Sequence, residues 1–266
     1  EIMNLLYSCA NEVVSSAAYA EHVAMLKKVS ARRRAYQKLQ IIGDAIEGDA
    51  DGESIQGLVD DLAVSVDFAE RKTEVNSSDG FSRFVEGLGK PKEHYRTGIA
   101  GIDKTIKIGK GHYFVIGARP SQGKTALSLQ MAVSMAERHK VLYFSFETSA
   151  DRLYERIMAR SANIDYGKIV EGTLSDNEVE KIKNLQVYFE NINLMTIEAA
   201  GMTVEQIKST AIKHHADIVF IDYLGLVSTS TVVGSSYERT TLISMALHNM
   251  AQKTGITIVA LCQLNR

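Results

Sequence analysis

The stretch GARPSQGKTA, residues 117–126, follows the apolar run HYFVI (112–116) and ends in Gly123-Lys124-Thr125. Its reading decides the fold. A phosphate-binding loop needs backbone N–H groups turned inward at a helix N-terminus, a lysine that reaches the terminal phosphates, and a hydroxyl for Mg²⁺. It must also lie between a strand and a helix. Here YFVIG supplies the strand and TALSLQMAVSMAERH the helix. The consensus opens the loop with glycine, where this chain has Ala118; alanine costs little there if φ stays negative. Gly123 is glycine at the place where a Cβ would obstruct an approaching phosphate. The alternative is an ordinary strand-to-helix turn with a surface lysine, but the flanking elements favour a phosphate loop built from Ala118, Arg119, Pro120, Ser121, Gln122, Gly123, Lys124 and Thr125.

Working outward, the chain from about residue 97 alternates apolar runs with amphipathic stretches. Strands are predicted at 112–117, 141–147, 192–197, 217–222 and 256–262, with helices at about 124–138, 150–162, 176–190, 204–215 and 238–254. Ser175 with Glu178, and Thr203 with Gln206, have capping-box spacing. Strands rich in Val and Ile alternating with helices predict a parallel sheet covered on both faces. The polar stretch STSTVVGSS (228–236) reads as a mobile loop.

Upstream the texture differs. Residues 1–70 read as helices, with apolar positions at three- and four-residue steps from Val23 to Ile46 and again from Ile55 to Ala69. The cluster Lys27, Lys28, Arg32, Arg33 and Arg34 reads as a solvated helix face. Residues 71–96 read as a linker. Within it DGFSRFVEGLGKP predicts a short helix with Asp79 as N-cap, Gly89 and Pro91 as stop signals, and Phe81, Phe84, Val85 and Leu88 on one face.

The 266 residues carry a net charge of −2, 45% hydrophobic and 23% charged residues, and two cysteines. These are the proportions of a soluble globular protein. No apolar run approaches the ~18 residues of a membrane span, and no signal-peptide pattern opens the chain. Cys9 and Cys262 cannot form a disulfide framework; they read as reduced, buried packing residues of a cytoplasmic protein. His112 and His214-His215 lack partners at metal-ligand spacing.

Three further groups belong to the chemistry a phosphate loop would serve. DIVFIDYLGL (217–226) is an apolar run that delivers Asp222 at the C-terminal edge of its strand, where open α/β sheets bind ligands and a carboxylate can hold Mg²⁺ through water. VLYFSFETS (141–149) brings Glu147 to the same edge as a general base, or else as the start of the next helix. ITIVALCQLNR (256–266) ends in Gln263, a neutral donor able to sense a γ-phosphate.

In this order and spacing, GARPSQGKTA, FSFETS, IVFIDYLGL and IVALCQLNR resemble the motifs of DnaB-type replicative helicases, hexameric ring ATPases with a RecA-like core. SSAAYAEHVAMLKKVSARRRAYQKLQIIGDA is similar to the end of that family's helical N-terminal domain, and TGIAGIDKTI to the start of its ATPase domain. Alanine at the position of Ala118, followed by Arg-Pro-Ser, is common in the family. The resemblance implies that Lys124 and Thr125 bind the β- and γ-phosphates and Mg²⁺, Glu147 activates water, Asp222 supports Mg²⁺ and Gln263 couples the γ-phosphate to the DNA side. Arg119 matches the family loop without an assigned role.

The fold expected is therefore α/β: a RecA-like P-loop NTPase core with a parallel sheet (97–266), preceded by an all-helical segment (1–70) and a linker with a docking helix (71–96). The implied function is NTP hydrolysis with Mg²⁺ and translocation on single-stranded DNA as a homohexamer, in a bacterium or phage-infected cell, with primase and a helicase loader as candidate partners. Three departures stand against the pattern. Phe146-Glu147-Thr148 replaces Leu-Glu-Met, the helix LISMALHNMAQKTG lacks several of the family's basic residues, and the family's arginine finger and main DNA-binding loop lie beyond Arg266. Two rival readings are a RecA-superfamily ATPase of another class, against which the helical region and linker argue, and a non-catalytic loader or decoy, against which Lys124 and Glu147 argue.

Overall fold

A computed structural model of the chain describes residues 16–48, 50–66, 75–90, 93–229 and 235–264. It divides into two compact units, Glu1–Glu74 and Val75–Arg266.

In the first unit, α1 (Ser16–Glu47) and α2 (Gly52–Val66) form a helical pair. Asp51 starts α2 by accepting from the Ser54 N–H at 2.8 Å and the Ser54 hydroxyl at 2.9 Å. Lys38 of α1 reaches the Asp61 carboxylate at 2.5 Å. Ile42 is buried, whereas Val29, Tyr36, Leu39, Ile41 and Ile46 remain exposed. Arg32, Arg33 and Arg34 are exposed as a solvated face should be. Cys9 lies outside the described residues.

The second unit opens with α3 (Ser77–Glu86) and α4 (Ala100–Thr105). The N-cap of α3 is Asn76, not Asp79: the Asn76 side chain accepts the Asp79 N–H at 2.8 Å. An Asn three residues ahead of an Asp satisfies the orphan donors of the first turn, and the Asp then sits where its charge meets the positive helix end. The helix stops at Gly87, two residues before Gly89.

The rest is a five-stranded parallel sheet: β1 (Tyr113–Ala118), β2 (Val141–Ser145), β3 (Leu194–Glu198), β4 (Ile218–Asp222) and β5 (Thr257–Gln263). The order across it is β1-β5-β4-β2-β3. Between strands run α5 (Lys124–Ala136), α6 (Ala150–Ser161), α7 (Tyr166–Glu171), α8 (Asp176–Lys183), α9 (Gln186–Asn191), α10 (Val204–Lys213) and α11 (Ser236–Thr254). The predicted helix at 176–190 is thus two helices, and α7, between the Asp165 cap and Gly172, is additional. Both predicted capping boxes form.

The central strands β2 and β4 are buried throughout, so alternate side chains feed two cores. Leu142, Phe144, Val219 and Ile221 pack with Ile207 and Ala211 of α10 and with Ile243, Leu247 and Met250 of α11. Val141, Tyr143, Ile218 and Phe220 pack with Leu129, Met131 and Met135 of α5 and with Leu153 and Ile157 of α6. Parallel strands all end on one edge, and that edge carries the site.

Candidate nucleotide-binding site

The loop leaving β1 turns on two left-handed residues, Ser121 (φ 60°) and Gly123 (φ 80°). A Cβ placed on Gly123 meets no described atom within 4 Å. Its φ, rather than crowding by the protein, is therefore what calls for glycine there. Ala118 is the last residue of β1 and has no positive φ, so alanine is accommodated. The loop ends at α5, for which no described side chain provides an N-cap. Its first N–H groups stay open at the positive end of the helix dipole, an arrangement that suits an anion.

Lys124, Thr125 and Asp222 converge there. Thr125 Oγ1 donates to Asp222 Oδ2 at 2.6 Å, and Lys124 Nζ lies 3.8 Å from Asp222 Oδ1 and 4.3 Å from the centre of the Tyr223 ring. The Tyr143 hydroxyl also reaches Asp222 Oδ2, at 3.1 Å. Burial and then the Asp222 charge push the Tyr143 phenol well above its ordinary pKa, so it remains a donor. A hydroxyl and a carboxylate beside an open helix N-terminus fit Mg²⁺, which takes one or two protein oxygens together with phosphates and waters. Among the described residues no group of three or more His, Cys, Asp or Glu could hold a metal; a site completed by phosphate needs none. His112 instead accepts the Gly109 N–H through Nδ1.

Glu147 lies exposed between β2 and α6, belonging to neither. Its position follows from pairing: Ser145 is in register with Asp222, and the Phe146 N–H donates to the Asp222 carbonyl at 2.9 Å. The Ser145 hydroxyl closes a small turn by donating to the Thr148 carbonyl at 2.5 Å and accepting the Thr148 N–H at 3.2 Å. Glu198, at the end of β3, accepts the Ala150 N–H at 2.8 Å and so caps α6. Gln263 ends β5 in register with Ala118 and is exposed, while the Leu264 N–H donates to the Ala118 carbonyl at 3.0 Å. The strand order therefore brings Gln263, the loop, Asp222 and Glu147 to one edge.

Arg119, Pro120, Ser121 and Gln122 are exposed on the loop. A cavity of about 510 Å³ beside it is lined by Gln122, Gly123, Lys124, Leu127, Gln130 and Arg160 among others. Arg160, from α6, was not anticipated; only the turn of α6 back toward α5 brings it there. Arg239, on the first turns of α11, donates to the Gly225 carbonyl at 2.5 Å, and its Nε is buried with no partner among the described residues. Residues 230–234 of the polar stretch lie outside the described residues. Cys262 is a free thiol, half-buried against the core rather than fully enclosed.

A parallel sheet with a phosphate loop and an acidic strand end defines a P-loop nucleotide-binding class, and the comparisons narrow it. Residues 95–266 match the family described as DnaB-like helicase C terminal domain. The chain belongs to that family. It is 27% identical over 271 residues to the replicative DNA helicase DnaB of Treponema pallidum (strain Nichols), covering 96% of this chain and 62% of that protein. It is 29% identical over 225 residues to a probable plasmid replicative DNA helicase of Chlamydia trachomatis, covering 82% and 48%. A solved structure described as a DnaB-like replicative helicase and its interactions with primase superposes with a TM-score of 0.71 at 22% identity, over 99% of this chain and 64% of that one. A second solved structure, described as an ATPase domain, gives 0.64 at 25% identity, over 73% of each chain. The chain thus spans less than two thirds of the length of the two helicases it matches in sequence.

Proposed function

We propose that this chain is the motor portion of a replicative DNA helicase, which binds ATP or another NTP with Mg²⁺, hydrolyses it and translocates on single-stranded DNA as a homohexameric ring. The observation that carries the reading is the cluster of Lys124, Thr125 and Asp222 at an open helix N-terminus, with Glu147 two residues past the end of the adjacent strand.

In this reading residues 1–70 are the end of a helical domain, 71–96 a linker and 97–266 the ATPase domain. The loop from Ala118 to Thr125 cradles the phosphates with its N–H groups, of which Pro120 has none, and Lys124 leaves Asp222 to meet their terminal charge. Thr125, whose hydroxyl donates to Asp222, and Asp222 itself are the residues that would hold Mg²⁺. The ion would supply positive charge where negative charge builds up during phosphoryl transfer. Glu147 accepts the proton of the attacking water. Gln263, beside the loop on β5, reports the state of the γ-phosphate to the polar stretch 228–236, which in this reading holds the DNA backbone without reading sequence. Primase and a helicase loader are the further partners this reading implies, and the bacterial or phage-infected cytoplasm its setting; among the described residues no helix is long and apolar enough to cross a membrane.

The deciding experiment is the ATPase rate of the intact protein with and without single-stranded DNA, alongside Glu147→Gln. Stimulation by DNA is expected, with Glu147→Gln retaining nucleotide and losing turnover. A rate indifferent to DNA would remove the helicase assignment, and near-parental turnover in Glu147→Gln would remove Glu147 as base.

A further inference from the structure

Tyr143 stands in the middle of β2, at a position that an apolar side chain would satisfy. It is wholly buried, and its ring stacks on Phe220 at 5.8 Å with 13° between planes. A phenylalanine would fill the same space. The added hydroxyl is costly to bury unless bonded, and here two partners lie within hydrogen-bond distance: Asp222 Oδ2 at 3.1 Å and Ser128 Oγ at 2.8 Å. Ser128, also buried, lies 2.9 Å from the Thr125 carbonyl.

The protons in this cluster can be placed. The Tyr143 hydroxyl lies 3.1 Å from Asp222 Oδ2 with its hydrogen directed at that oxygen. Tyr143 therefore donates to Asp222. Ser128 is left to give its single hydrogen to the Tyr143 oxygen or the Thr125 carbonyl. Asp222 Oδ2 then accepts from two hydroxyls of different elements, Thr125 at the surface of the site and Tyr143 behind it.

We propose that Tyr143 is a positioning residue for the metal-binding half of the site, holding the Asp222 carboxylate in orientation from behind while Thr125 turns to its ligand. This rests on the reading of Thr125 and Asp222 as the Mg²⁺ pair. Without the phenol, the only described hydroxyl left on Oδ2 is that of Thr125, the group that must also face the metal. The carboxylate can then swing toward Lys124, already 3.8 Å from Oδ1. The loss should fall on magnesium-dependent binding and spare the part of nucleotide affinity that the loop amides provide alone.

The test is binding of a ribose-labelled fluorescent ADP to the intact protein, measured in Mg²⁺ and in EDTA, for the parent, Tyr143→Phe, Asp222→Ala and the double variant. Outer partners of metal ligands contribute roughly 10–100-fold to metal affinity, and Tyr143 is such a partner of Asp222, so Tyr143→Phe should lose roughly tenfold of the gain that Mg²⁺ confers. Its affinity in EDTA and its melting temperature should stay near the parent's, and it should add no loss in the Asp222→Ala background. An undiminished Mg²⁺ gain overturns the proposal. So does an equal loss with and without the metal, which would mean packing, or a further loss on top of Asp222→Ala. Should Tyr143→Phe fold poorly, magnesium dependence in Ser128→Ala decides instead: it keeps the phenol–carboxylate bond, so a loss as large as that of Asp222→Ala would refute the role of that bond. A parent protein with no Mg²⁺ gain at all would fail the underlying reading first, before any variant is compared.

Discussion

Helices α3 and α5 are opposites in how they are held. α3 has a side-chain cap at Asn76, an acidic first turn and a C-cap at Gly87, yet none of its described residues is buried. Phe81 and Phe84 on it, and Leu88 just past its end, are 68%, 64% and 60% exposed. No described side chain caps α5, which begins on a glycine, yet Ser128, Leu129, Met131, Ala132, Met135 and Ala136 are all buried along it. Tertiary packing makes a cap dispensable in α5 and leaves its N-terminal donors free for a ligand. A ten-residue helix without such packing is marginal in water, so α3 carries its own local signals and an apolar face that awaits a partner. In the proposed ring that partner is a neighbouring copy of the chain.

The comparison can be broken first at α5. Lys124→Ala should abolish nucleotide binding, while Glu147→Gln should keep binding and slow hydrolysis by roughly 10²–10⁴-fold; binding is read by labelled nucleotide and turnover by phosphate release. Next, Phe84→Ala with Leu88→Ala should shift a hexamer toward smaller species and lower ATPase activity while circular dichroism is unchanged. Full burial of each such side chain contributes roughly 1.5–3 kcal/mol, and an unchanged hexamer by light scattering would refute α3 as a main ring contact. Asn76→Ala removes a cap of about 1 kcal/mol; it should weaken assembly more mildly, and leave the melting of the ATPase unit alone because α3 contributes nothing to that core. The smallest effect concerns acid. Lys168 and then Ser175 hold Glu178 down at about 2, below its ordinary value, so what the pair contributes between α7 and α8 is present above the ordinary carboxylate range and lost progressively as pH falls from there through about 2. The Glu178 carboxyl chemical shift should therefore stay that of an ionised group at about pH 4, near the ordinary glutamate value.

Local chemistry was legible and distant pairing was not. The five strands were readable from Val- and Ile-rich runs, and both capping boxes from a Ser or Thr three residues before a Glu or Gln, because each signal lies within a few neighbouring residues. Lys124, Thr125, Asp222, Glu147 and Gln263 were found as loop and strand-end residues, and the register of β1, β2, β4 and β5 brings them to one edge. The N-cap of α3 was misplaced because Asn76 and Asp79 are both good caps and only the chain path chooses between them. The strand order, the Arg160 approach and the Tyr143 hydroxyl could not be read, since their partners are remote; Tyr143 and Asp222 are 79 residues apart.

The strand order also has a consequence for how the molecule is made. β5 is the last of the five described strands to leave the ribosome, yet it is the one inserted between β1 and β4, and it is the only described strand with which β1 pairs. Until Thr257–Gln263 has emerged, the strand that launches the phosphate loop lacks that neighbour, however long ago it was synthesised. In the proposed function, nucleotide capture would wait on translation passing this strand, and a nascent chain released short of Thr257 should bind nucleotide more weakly than the full one.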